Sequence, residues 1–128
     1  MTDDAVLRAR SLVGCRFRPQ GRDPDQGLDC VGLVCAAFGI AADSVPRDYR
    51  LRDGGLERLM LELGRFFRRV RDLAAGDVLV FQVAADQPHL GIRSDRGFIH
   101  ADARLRKVVE TPGASPWQLI SAYRRKET

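Results

Sequence analysis

At 128 residues, with 45% hydrophobic and 30% charged residues, the chain predicts one folded domain over 1–128 and is too apolar for intrinsic disorder. Its three cysteines, odd in number and irregularly spaced, argue against a disulfide framework and leave at least one free thiol. The net charge of +4 is concentrated in GRFFRRVRD and AYRRKET; no RNP pattern, zinc-finger spacing or helix-turn-helix accompanies it, so a solvated arginine-rich face and no specific nucleic-acid partner are expected.

In chain order, Val6, Ala9 and Val13 recur at helical spacing and predict a helix over Asp3–Leu12, ended at Gly14. CRFRPQGRDPDQG is dense in Pro, Gly, Asp and Arg and reads as loop only. LDCVGLVCAAFGI predicts a buried helix that begins at Cys30, with Asp29 as its cap and Gly39 near its end. ADSVPRDYRLRDGG predicts a second loop, and Leu56, Leu59, Met60 and Leu63 mark an amphipathic helix in LERLMLELGRFF. From Ala75 the pattern changes. AGDVLVFQV opens a strand after a Gly-Asp turn, PHLGIRSDRGFIHAD gives two short strands around SDRG, and RKVVE and WQLISAYRR predict two more. Helices followed by an antiparallel sheet make an α+β arrangement. No apolar run suits a signal peptide or a membrane span, which predicts synthesis in the cytoplasm without a signal peptide and no membrane insertion.

Cys30 is the first candidate for chemistry. A thiol in the first turn of a helix faces unpaired N–H groups and the positive end of the dipole, an environment expected to lower its pKa and favour a nucleophilic thiolate. The competing reading is a small core residue, since free cysteine is among the most buried types. Only His89 and His100 are available as a base. If Asp95 and Arg96 form the tip of a hairpin, Ile92 faces Ile99 and Gly91 faces His100, which puts both imidazoles on one sheet face as diagonal neighbours. One ring could then orient the other toward Cys30. Cys30 and Cys35 lack C-x₂-C spacing, so neither a metal nor any other cofactor is expected; an incomplete Cys-His-His zinc site is the lesser alternative. Cys15 and Cys35 read as packing residues. P-loop, dinucleotide and G-x-S-x-G motifs are absent.

Three segments in this order, LVGCRFRPQGRDPDQGLDCVGLV, AGDVLVF…PHLGI and FIHA, resemble the NlpC/P60 cysteine peptidases. The resemblance implies a papain-like α+β fold, with Cys30 as nucleophile, His89 as general base and His100 as the residue that orients it. Asp29 falls just before the nucleophile and is expected to cap its helix. Phe17 stands where the family usually has a tyrosine, which removes a hydroxyl that could help hold substrate or oxyanion. The implied activity is hydrolysis of peptide bonds in peptidoglycan stem peptides, between D-glutamate and diaminopimelate. The likeness is closest to the compact form of phage tails and phage-like gene transfer particles, which implies tail or baseplate proteins as partners, a place on the virion, and action in the periplasm of the target cell. Two other readings use the same residues: a tail assembly protein with a weak or inactive peptidase fold, and an amidase or acyltransferase with the same Cys-His pair.

Overall fold

The computed structural model describes residues 2–45, 55–84 and 87–126. Helix α1 spans Thr2–Ser11 and presents Ala5, Val6 and Ala9 to the interior; Val13, predicted on that stripe, lies beyond the helix in a turn and is exposed. Helix α2 spans Cys30–Phe38. Eight of its nine residues are buried, as expected for a helix apolar on all sides, because α1 covers one side of it and the sheet the other. Gly39 ends it at φ 67°, a left-handed conformation that glycine adopts without cost, and its N–H bonds the Cys35 carbonyl.

Between these helices the predicted loop is more ordered than its composition suggests. A two-stranded ribbon pairs β1 (Arg22–Asp23) with β2 (Gly27–Leu28), and Phe17 bridges to Leu28. A single 3-10 turn occupies Ala42–Ser44; the rest of the loop predicted there lies outside the described residues.

Helix α3 spans Gly55–Leu63, shorter than predicted. Phe67–Val70, which the sequence pattern assigned in part to that helix, forms strand β3. Leu63 is buried and Met60 half-buried, whereas the side chains of Leu56 and Leu59 lie outside the described residues. β3 forms because the last strand, β8 (Gln118–Arg125), offers it an antiparallel partner, a long-range pairing that overrides local helical pattern.

With β4 (Val78–Ala84), β5 (Gln87–Arg93), β6 (Gly97–Asp102) and β7 (Lys107–Pro112), they make a six-stranded sheet in the order β3-β8-β4-β5-β6-β7. Alternation divides its side chains between two faces. Val80, Leu90, Ile92, Ile99 and Ala101 join the helices in the main core. Leu79, Phe81 and Phe98 form a smaller apolar cluster on the opposite face, closed by Trp117.

The arginine-rich segments are only partly the solvated face predicted. Arg68 and Arg69 are exposed, but Arg124 reaches the fully buried Asp77 with Nε at 2.8 Å and Nη2 at 2.9 Å, and Arg125 donates to the Phe38 carbonyl at 2.9 Å. Asp77 also accepts the Ala74 N–H, tying the turn before β4 to β8. Arg124 keeps Asp72 as a second partner, but loss of the Asp77 carboxylate leaves the Ala74 N–H without its acceptor, so Asp77→Ala is expected to destabilise the fold by about 1–3 kcal/mol, measured by urea denaturation.

Candidate active site

The site starts from the cap of α2. Asp29 Oδ1 accepts the Gly32 N–H at 2.8 Å and its backbone carbonyl accepts that of Leu33 at 2.9 Å, so the predicted capping role holds. Its second oxygen, Oδ2, accepts the Gln20 N–H at 3.0 Å and pins the preceding loop against the helix start. The N–H groups of Cys30 and Val31 are left to face the Cys30 sulfur, joined by the N–H of Leu90 from β5.

The Leu90 amide is available because β5 and β6 pair only at Ile92↔Ile99 and Arg93↔Phe98. Beyond these pairs Leu90 turns its N–H to the thiol of α2. The sulfur therefore meets β5 one residue after His89.

The hairpin has the predicted register, with Ser94 N–H bonded to the Gly97 carbonyl and Ile92 opposite Ile99. His89 and His100 consequently share a face, and His89 Nε2 lies 3.0 Å from His100 Nδ1. His100, 2% exposed, extends the chain to Thr111, with Nε2 3.2 Å from the hydroxyl oxygen. Trp117 stands edge-on to both imidazoles, its centroid 5.6 Å from His89 and 5.5 Å from His100. Sequence reasoning found neither Thr111 nor Trp117. Trp117 also lines a cavity of about 460 Å³ on this face, together with Phe81, Phe98, Arg93 and Arg96.

The electrostatics correct one expectation. Burial, reinforced by the Asp29 charge, pushes the Cys30 thiol up to about 12, and the three facing N–H groups only partly offset this. The helix terminus does favour the thiolate, but a residue 6% exposed beside a carboxylate loses more hydration than those dipoles return. Burial also lowers His89 to about 4, with the neighbouring His100 adding to the effect, and burial lowers His100 in the same direction. Cys30 therefore rests as a neutral thiol and His89 as a neutral imidazole.

The other predicted positions separate. Cys35 is buried in the core, and Cys15 is half-buried against it. Phe17 packs at the core edge and its N–H bonds the Arg106 carbonyl at 2.9 Å, which clamps the loop ahead of α2 to the start of β7 without supplying a hydroxyl. Among the described residues, no three His, Cys, Asp or Glu side chains gather as metal ligands do. No described helix is long and apolar enough to cross a membrane.

This arrangement, a capped cysteine helix laid on an antiparallel sheet that carries the two histidines, is the α+β fold of NlpC/P60 domains. Solved structures similar to it include three that cover most of this chain. The NlpC/p60 domain of the peptidoglycan hydrolase SagA matches with a TM-score of 0.60 and 20% identity, over 88% of this chain and 89% of that one. The peptidoglycan hydrolase RipB from Mycobacterium tuberculosis matches with a TM-score of 0.62 and 20% identity, over 95% of this chain and 62% of that one. The P60 domain of the M. avium subspecies paratuberculosis antigen MAP1204 matches with a TM-score of 0.62 and 17% identity, over 97% of this chain and 93% of that one. No protein-family model and no curated protein sequence matches the chain.

Proposed function

We propose that the protein is a cysteine peptidase of the NlpC/P60 type that hydrolyses peptide bonds in peptidoglycan stem peptides, with Cys30 as nucleophile, His89 as base and His100 as its orienting partner. The observation that carries this reading is that His89, hydrogen-bonded to His100 of β6, is followed on β5 by the amide that meets the Cys30 sulfur at the start of a capped helix. His89 takes the thiol proton as sulfur attacks the carbonyl, and the Cys30 and Val31 amides are placed to receive the developing oxyanion. The acyl-enzyme then forms as His89 protonates the departing amine, and water activated by the same imidazole hydrolyses it.

Two of the three similar structures are of peptidoglycan hydrolases, which supports a cell-wall substrate. Arg93 and Arg96 at the cavity beside Trp117 suit a peptide that carries carboxylates, as stem peptides do. The bond between D-glutamate and diaminopimelate follows from the sequence resemblance. So does the setting: a phage-like tail, with tail or baseplate proteins as partners, that carries the enzyme to the periplasm of a target cell.

One observation favours the assembly reading instead. A thiol that is 6% exposed and pushed up to about 12 has no standing thiolate, and Phe17 offers no hydroxyl. The test is digestion of diaminopimelate-type peptidoglycan by wild type and by Cys30→Ala, with mass spectrometry of the fragments. Peptide fragments from wild type alone support the peptidase and locate the bond; an amidase cut at the sugar–peptide junction would show as intact stem peptides. Equal release from both proteins, or none from a folded wild type, sinks the reading.

A further inference from the structure

Thr111, His100 and His89 form a hydrogen-bond chain with two self-consistent proton arrangements. Thr111 Oγ1 lies 3.2 Å from His100 Nε2, and His100 Nδ1 lies 3.0 Å from His89 Nε2. A neutral imidazole has one N–H and one bare nitrogen. In the first arrangement His100 donates from Nε2 to the threonine oxygen and accepts at Nδ1 from His89, whose own Nδ1 is bare. In the second the threonine hydroxyl donates to His100, His100 donates from Nδ1 to His89 Nε2, and His89 carries its proton on Nδ1. Nε2 of His89 is engaged by His100 in both, so only the first leaves a nitrogen able to take a proton from a thiol.

We propose that Thr111 is a positioning residue that selects the first arrangement: by accepting from His100 Nε2 it holds both imidazoles as Nε2–H tautomers and keeps His89 Nδ1 bare for the Cys30 proton. This rests on the roles proposed for Cys30 and His89 and adds a residue to them. The β6–β7 register is what brings it there, because Thr111 faces Phe98 and His100 faces Val109, which makes threonine and imidazole diagonal neighbours on one face. His100 is 2% exposed, so its Nε2–H has no water to turn to if the threonine oxygen is removed. A buried donor without a partner is harder to tolerate than a buried bare acceptor. Loss of that oxygen therefore drives His100 to its Nδ1–H form, which pushes the His89 proton onto the nitrogen that has to be bare. The Nε2–H form is also the intrinsically preferred tautomer of a neutral histidine side chain, so two imidazoles and the threonine acceptor favour the same arrangement.

The test combines long-range ¹H–¹⁵N NMR of the imidazoles, which reports the tautomers without substrate, with steady-state kinetics on a stem-peptide substrate. Wild type should show both histidines protonated at Nε2. Thr111→Val should move protonation toward His89 Nδ1 and lower kcat by about tenfold or more with KM within about twofold, while Thr111→Ser restores both readouts. A wild-type spectrum with His89 protonated at Nδ1 overturns the proposal even if Thr111→Val fails to fold. So does a folded Thr111→Val with unchanged tautomers and kcat, or a Thr111→Ser that behaves like the valine variant. Undiminished hydrolysis by Cys30→Ala would instead sink the peptidase reading, whatever the tautomers prove to be.

Discussion

Replacing His89 with glutamine should lower stem-peptide hydrolysis by about 10³-fold or more while the protein stays folded. Glutamine keeps a group able to hydrogen-bond His100, so the sheet face retains its contacts; what disappears is the imidazole proposed to take the Cys30 proton. That proton cannot leave by itself, because burial and the Asp29 carboxylate push the thiol up to about 12. The pH profile of wild type carries the same argument. As the proposed base His89 must be unprotonated, and its burial beside His100 lowers it from 6.5 to about 4. The acid limb of kcat/KM should therefore lie near pH 4, with a plateau that continues through the mildly alkaline range. A falling limb in that alkaline range would mean a preformed thiolate–imidazolium pair and would contradict the neutral resting state. Stability follows the same group. Above pH 6.5 both folded and unfolded states keep His89 neutral and the contribution is complete. Between pH 6.5 and about 4 the unfolded chain takes up a proton that the folded one refuses, so stability falls with pH by up to about 1.4 kcal/mol per unit and levels off below.

Gly32→Ala is expected to cost more than about 4 kcal/mol, and to abolish activity through loss of the site. Helix propensity alone argues the opposite, since alanine in place of glycine gains about 1 kcal/mol within a helix. The decisive fact is the space at this position. A Cβ on Gly32 would lie 2.0 Å from the Gly21 carbonyl oxygen and 3.2 Å from the Leu28 side chain. Retreat is blocked for that loop: a Cβ on Gly21 would itself meet the Gly27 carbonyl at 2.3 Å, and the Gly21 oxygen accepts the Asp29 N–H at 3.3 Å. The new Cβ meets backbone, not a side chain that could swing away, in the first turn of α2, where Asp29, Cys30 and Val31 are set. Urea denaturation and the soluble yield of Gly32→Ala against wild type measure the effect, and a variant as stable as wild type would show that the loop can move away.

Much of the site was readable because its signals are local. Asp29 before an apolar run marks a capped helix, and that alone places Cys30 at the first turn. The SDRG turn, with strand alternation on either side, puts His89 and His100 on one face from register alone. Thr111 needed one more number, the length of the turn between Asp102 and Lys107, which nothing in ADARLRK specifies. Trp117 reaches the imidazoles from the segment before β8, across strands distant in sequence. Strand β3 was misread because its Phe-Arg-Arg-Val run has no strict alternation and becomes a strand only by pairing with β8, more than fifty residues on.

By itself the sequence determined the α+β order of elements, the helix start at Cys30 and the pairing of the two histidines, because capping, periodicity and turn geometry act over a few residues. The tertiary structure alone decided how charged those groups are. The N–H dipoles that favour a thiolate are written in the helix start, but the desolvation that outweighs them exists only once α1, the sheet and the Gly21–Gly32 contact have closed around Cys30.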